Sequence, residues 1–228
     1  KGGVAYIDEV LLSETDTPRA KWVPAESVDV PYEPYDPFAT SSALSLPYER
    51  DLDQGAFKDW YTYYGLFQLS QGELRTGTLP AAETKGSLSI LRGGKSWTNY
   101  HIYSNIEWGE MTSFSLLLRF QDDENYASCA YSTYGDVVLL YETKGGQSKV
   151  LAERPWRRYS TKPVLWTPLS LEAQVRGNKA ACYVNGIKAA EAALSLPGAG
   201  TVGIATWGET QNPLAHKVRT FRVVPLNI

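Results

Sequence analysis

The 228-residue chain carries 22 Lys and Arg against 25 Asp and Glu, a formal charge of −3. A balance so close to neutral lacks the clustered positive field that nucleic acid or an anionic membrane surface attracts, which argues against both as partners. Hydrophobic residues at 43% and charged residues at 21% describe a globular protein with a sizeable core, and no apolar run approaches the roughly 18 residues of a membrane-spanning helix.

Aromatic residues, glycine and proline are in excess: 15 Tyr, 7 Trp, 6 Phe, 19 Gly and 13 Pro, against one Met and two Cys. Tyr and Trp suit pleated, half-buried surfaces, and Gly and Pro punctuate short strands, so this composition predicts an all-β chain. The same rings are the ones that stack on sugars. The chain opens on Lys1-Gly2-Gly3 without an initiator Met or an apolar leader core, as a mature protein or an excised fragment would. Cys129 and Cys182 can form a disulfide only if the fold brings their strands together, and the sequence leaves that open.

Residues 4–12 read as one strand. After it, Pro18, Pro24, Pro31, Pro34, Pro37 and Pro47 preclude a helix or a central strand. Interleaved Trp22, Val23, Val28, Val30, Tyr32, Tyr35 and Phe38 suit an extended strap held against a body rather than a free linker. The expected division is therefore 1–47, a strand and Pro-rich strap that either ends a preceding domain or completes a sheet of this one, and 48–228, a β-sandwich.

From residue 48 onward, short alternating segments are separated by turn residues, as in a sandwich or barrel. Predicted strands are 86–91, 100–108, 113–121, 126–132, 136–143, 149–153, 169–176, 180–184, 201–206 and 217–224. In 113–121, strict alternation puts Phe114, Leu116, Leu118 and Phe120 on the core face, with Ser115, Leu117, Arg119 and Gln121 opposite. In 169–176, Leu169, Leu171, Ala173 and Val175 alternate with Ser170, Glu172, Gln174 and Arg176. Gly177-Asn178 then turns the chain back, and Asn185-Gly186 makes a second tight reversal, so 169–188 is a three-strand meander. The alanines of 187–194 suit a helix or a strand equally. About a dozen strands fit a two-sheet antiparallel sandwich.

The order Trp97-Thr98-Asn99-Tyr100, the strand leading into Asp122-Asp123-Glu124-Asn125-Tyr126, the Tyr183-Val184-Asn185-Gly186 turn and the run from Gly200 to Trp207 resembles the concanavalin A-like lectin and glucanase superfamily. Within it, the chain is most similar to laminin-G-like jelly rolls and to the bacterial 3-keto-disaccharide hydrolase-like domain, over roughly residues 55–225. The resemblance implies an all-β, two-sheet antiparallel jelly roll, a glycan or polysaccharide partner, and an extracellular, periplasmic or cell-surface location within a larger parent protein. It does not decide among lectins, binding modules, hydrolases and lyases, which share the fold. No cofactor is expected; Ca²⁺ is the one option that the same resemblance leaves open, and the acidic turn offers Asp122 and Asp123 as candidate ligands.

A laminarinase-type glycosidase of that superfamily would carry its carboxylates on one strand as Glu-x-Asp-x-x-Glu or Glu-x-Asp-x-Glu, and no such strand exists here. Glu172 is the best single carboxylate, with Arg119 as its companion if the protein is an enzyme. The Gln-x-His pair of the lyases is absent, and His101 and His216 each read as hydrogen-bonded structural histidines. A binding role needs only aromatic platforms and a few polar groups on a rigid face. The candidates are Arg119, Tyr131, Glu172, Gln174, Arg176 and Tyr183 on the strands, with Trp108, Trp156 and Arg157 on the loop rim. The sequence therefore predicts a non-catalytic carbohydrate-binding or adhesion module, with a glycoside hydrolase or lyase and a structural spacer as the alternatives.

Overall fold

The computed structural model describes residues 43–49, 52, 57–70, 72–77, 86–109, 113–156, 168–208 and 216–226. The expected strand at 4–12, most of the strap and the candidate Arg157 lie outside them. Fourteen strands occur among the described residues: β1 (Trp60–Tyr64), β2 (Leu66–Ser70), β3 (Glu73–Gly77), β4 (Gly86–Leu91), β5 (Tyr100–Glu107), β6 (Ser113–Asp122), β7 (Asn125–Ser132), β8 (Val137–Lys144), β9 (Gln147–Pro155), β10 (Pro168–Arg176), β11 (Lys179–Val184), β12 (Ile187–Ala193), β13 (Thr201–Trp207) and β14 (Lys217–Pro225). They form two seven-stranded antiparallel sheets, ordered β1-β4-β13-β6-β7-β8-β9 and β12-β11-β10-β5-β14-β3-β2. No described helix is long and apolar enough to cross a membrane.

Period-2 alternation builds the core. From the first sheet, Phe114, Leu116, Leu118, Val138, Leu140, Val202 and Ile204 point inward; from the second, Ile102, Ile106, Leu171, Ala173, Val175, Phe221 and Val223 meet them, all buried in one cluster. The meander at 169–188 forms as expected, with Leu171 opposite Val184 and Arg176 opposite Lys179. Gly177 at φ 55° and the pair Asn185-Gly186 at φ 49° and 75° supply the left-handed backbone that two-residue hairpin turns require. The alanine-rich segment is a strand, β12, which puts Ala189 and Ala190 into the core.

One expectation about facing is corrected. Alternation in β6 breaks at Arg119, which adopts φ 49° and shifts the register against β7 and β13. Beyond this bulge Phe120 emerges on the outer face beside Leu117, while Arg119 turns inward and is buried. Its backbone N–H donates to the Tyr100 hydroxyl at 2.9 Å, and its guanidinium donates to the carbonyls of Leu196 and Gly177. Gly200 lies flat against it, and a Cβ there would sit 2.5 Å from the Arg119 carbonyl carbon. Arg119 thus ties β6 to the β10–β11 turn and to the β12–β13 connection.

Three further devices close the sandwich. Cys129 of β7 and Cys182 of β11 form a disulfide between the sheets, with Cα atoms 5.6 Å apart. The nearby core residues Ala127, Ala173, Ala180 and Ala190 are small enough to permit that approach. Glu142 is buried because its carboxylate accepts from Ser195 N–H and Oγ–H at 2.7 Å and from Leu196 N–H at 2.9 Å, closing the chain as it leaves β12. His216 is fully buried between the rings of Trp108 and Phe114, at centroid distances of 4.2 and 5.7 Å. Its Nδ1 accepts from Gly109 N–H at 2.9 Å and its Nε2–H donates to the Ser113 carbonyl at 3.1 Å. Two such bonds fix a neutral ring with one tautomer.

Candidate functional site

A sandwich has two outward faces, and here they differ in chemistry. On the second sheet, Glu172, Gln174, Arg176 and Tyr183 stand together as the sequence predicts, joined by His101 and Tyr103 of β5, which pairs with β10. Their polar atoms bond mainly to one another. Tyr183 Oη–H donates to Gln174 Oε1 at 3.1 Å, Gln174 Nε2 reaches His101 Nδ1 at 3.2 Å, and His101 Nε2 reaches Glu172 Oε2 at 3.1 Å. Ser170 Oγ–H donates to the other Glu172 oxygen at 3.1 Å. This run requires a neutral His101, and burial lowers its pKa, as does Arg222, against the pull of Glu172. Tyr103 is covered in turn, with His101 at 3.8 Å between centroids and the Arg222 guanidinium 4.3 Å from its ring centre.

Further along the same face, Arg219 bridges Glu73 and Glu107, and Lys217 lies within 4.0 Å of Glu73 and 3.9 Å of Glu107. Burial works to raise the Glu73 carboxyl, but hydrogen bonding from Arg75 and the charges of Arg219, Lys217 and Arg75 outweigh it and hold the group below the usual range. A glycosidase needs a carboxylic acid kept protonated to give its proton to the leaving oxygen. Glu73 is pushed the opposite way, and both oxygens of Glu172 are already engaged, by His101 and by Ser170.

The first sheet presents aromatic rings. Leu88, Ile90, Leu117 and Phe120 are buried on its outer face beneath half-exposed Tyr61, Tyr63, Tyr64 and Tyr126. Ring follows ring: Tyr61 to Tyr63 at 5.0 Å, Tyr63 to Phe120 at 5.3 Å, Phe120 stacked on Tyr126 at 5.7 Å, and Tyr126 to Tyr141 at 6.5 Å. Two strands, β4 and β13, separate β1 from β6, so the rings of Tyr63 and Phe120 can meet only by lying over them. Gly203, paired with Ile90 on one side and Leu117 on the other, lets β4 lie close against β13: a Cβ there would clash with the Ser89 carbonyl oxygen. The Arg92 guanidinium stands 5.6 Å from the Tyr61 ring at one end, and Trp207, 52% exposed, occupies an outward position at the end of β13. Burial, reinforced by Tyr126, Tyr141 and Asp123, pushes the Tyr64 hydroxyl up to about 12, and burial followed by Tyr126 raises Tyr141. Both stay protonated at neutral pH, and each can donate and accept a hydrogen bond.

The remaining sequence candidates take structural places. Trp108, Tyr131 and Trp156 are buried, at 3%, 0% and 1% exposure, instead of standing on a rim or an outer face. Trp108 packs edge-on against Tyr131 at 5.1 Å, and Tyr131 Oη–H donates to Asp136 at 2.6 Å. Arg119 is interior to the first sheet and Glu172 exterior to the second, so the structure does not bring that pair together. Asp122 Oδ1 accepts from Glu124 N–H and Asn125 Nδ2–H at 2.9 and 2.8 Å, which closes the β6–β7 turn. Among the described residues no group of three His, Cys, Asp or Glu converges, and Ca²⁺ takes six to eight oxygens; Asp122 and Asp123 do not fit it.

No protein-family model matches the chain, and no curated protein is similar to it in sequence. Solved structures are. A carbohydrate-binding module, CBM66, from Bacillus subtilis superposes at a TM-score of 0.59, with 15% identity over 73% of this chain and 95% of that one. The exoplasmic/lumenal domain of VIP36 in its Ca²⁺- and mannose-bound form gives 0.59, with 11% identity over 80% and 90%. A GH43 protein of Bacillus licheniformis gives 0.53, with 18% identity over 74% of this chain but 37% of its own. The described residues share the two-sheet antiparallel jelly-roll fold of these solved structures, one of them a carbohydrate-binding module.

Proposed function

We propose that the protein is a non-catalytic carbohydrate-binding module of an exported protein, and that it takes a saccharide across the tyrosine face of the first sheet. The observation that carries this reading is the set of half-exposed tyrosines Tyr61, Tyr63, Tyr126 and Tyr141, linked through the buried Phe120 ring and resting on an apolar floor. Such rings offer flat apolar area to the C–H faces of a sugar, and their hydroxyls offer hydrogen bonds to its edge. The opposite face offers no such run of rings, and most of the polar atoms from Ser170 to Tyr183 bond to one another. The superposed carbohydrate-binding module and the mannose-bound VIP36 domain support the ligand class, and a disulfide fits an oxidising compartment.

The test is a glycan-array screen followed by calorimetry on the best ligand, with reducing-end release assayed alongside. Truncating a binding hot spot, a class enriched in Tyr, costs about 2 kcal/mol or more, so Tyr63→Ala/Tyr126→Ala is expected to weaken binding about 30-fold or more while the near-ultraviolet circular dichroism of the buried tryptophans is kept. Release of product from a bound glycan would establish an enzyme instead. Unchanged affinity in the double variant would move the site elsewhere.

A further inference from the structure

The outer face of the second sheet holds a feature apart from its hydrogen-bonded run. In β10, β11 and β12 the outward positions form a grid of paired residues. Arg176 lies opposite Lys179, Gln174 opposite Ala181, Ala181 opposite Glu191, and Tyr183 opposite Lys188. The middle of the grid is Ala181, the smallest side chain there, and longer side chains stand around it. The result is a shallow basin of about 250 Å³ with Ala181 as its floor and Arg176, Lys179, Lys188, Glu191, Gln174 and Tyr183 as its wall.

Its charge is unbalanced. Lys188 and Glu191 are in ion-pair contact with each other. Arg176 and Lys179 face each other directly across the Gly177-Asn178 turn, and among the described residues neither has an ion-pair or hydrogen-bonded partner. Like charges directly opposed across an antiparallel pair repel, and sheets ordinarily avoid the arrangement. A local rule broken on a hairpin paired in continuous register points to a bound counter-charge.

We propose that this basin binds an anionic group, a carboxylate or sulfate, carried on a saccharide, and that it is a second site on the face opposite the tyrosines. The Arg176 fork grips two oxygens of such a group while Lys179 adds a point charge from the other side of the turn. Tyr183 Oη and the second N–H of Gln174 lie at the basin wall to meet neighbouring sugar hydroxyls. That the anion is carried by a sugar rests on the function proposed above; the basin's preference for anions does not.

The experiment compares a sulfated galactan oligosaccharide, its desulfated counterpart and sodium sulfate by calorimetry at 50 and 300 mM NaCl. The probes are titrated into the unaltered protein, into Arg176→Ala/Lys179→Ala, and into Tyr63→Ala/Tyr126→Ala. The sulfated probe is expected to bind the unaltered protein at least tenfold more tightly than the desulfated one at low salt. This margin should disappear at 300 mM NaCl and in the Arg176→Ala/Lys179→Ala variant, and persist in the tyrosine variant. Equal binding of both oligosaccharides to the unaltered protein, or a margin that survives loss of Arg176 and Lys179, would overturn the proposal, as would sodium sulfate binding as tightly as the sulfated galactan. Loss of the desulfated probe's affinity in the tyrosine variant reads only on the tyrosine face, so the two sites can fail separately.

Discussion

Removing the Cys129–Cys182 bridge is expected to lower folding stability by about 4 kcal/mol. The two cysteines are 53 residues apart, and cross-linking a loop of that length restricts the unfolded chain by about 4 kcal/mol at 25 °C. The bridge also joins opposite sheets, so its loss frees β11 from β7 as well as releasing the unfolded chain from the cross-link. Domains of this kind are stable by about 5–15 kcal/mol in total, and the reduced protein should be marginal. Urea unfolding of Cys129→Ala/Cys182→Ala beside the oxidised protein checks this. A difference under about 1 kcal/mol, after mass spectrometry has confirmed the bridge, would mean that packing alone holds the sheets.

Acid should destabilise the fold through His216 well before the carboxylates protonate. Full burial lowers its pKa to about 3, against a weaker upward pull from the bond to Ser113. The ring is neutral in the folded chain, because Nδ1 accepts from Gly109, and a second proton would break that bond inside the core. Between pH 6.5 and 3 the unfolded chain therefore binds a proton that the folded chain refuses. Stability from this group is complete above pH 6.5 and is lost as the pH falls toward 3, at about 1.4 kcal/mol per pH unit. Between pH 6.5 and 5, where the carboxylates remain ionised, the loss is about 2 kcal/mol. His101, also lowered by burial, adds a loss of the same sign. Urea midpoints from pH 7 to 5 should follow this slope, and His216→Gln, though less stable at pH 7, should show a shallower one. An equal slope in the variant would refute the assignment.

Much of the sandwich is legible in the sequence wherever one strand reads alone. The meander at 169–188 follows from its alternation and its two Gly-containing turns, and β10 faces as predicted. The bulge at Arg119 is not legible, because nothing in the run 113–121 marks one residue as taking φ 49°; Tyr100 and Gly200, distant in sequence, hold it there. The same limit governs the site. Trp108, Tyr131 and Trp156 look like a sugar-binding rim when only their residue type is known, yet strand pairing turns them inward. The neighbours of Glu172 depend on β10 lying beside β5, a pairing between segments about 70 residues apart. The tyrosine face escaped sequence reading for two reasons. Residues 60–64 are uninterrupted aromatics and threonine without a clean alternation, and the platform is assembled from β1, β6, β7 and β8. The signal available was the run Trp60-Tyr61-Thr62-Tyr63-Tyr64, too aromatic for a loop.

Hydroxyl-radical footprinting with and without a saturating glycan ligand tests the tyrosine face most directly, since it reports which rings the sugar covers. Protection is expected at Tyr61, Tyr63, Tyr126 and Tyr141, with Tyr134, 82% exposed on the β7–β8 turn, modified equally in both samples as an internal control. Protection confined to Tyr103 and Tyr183, with Tyr63 and Tyr126 unchanged, would place the saccharide on the opposite sheet and contradict the assignment of the glycan site to the first.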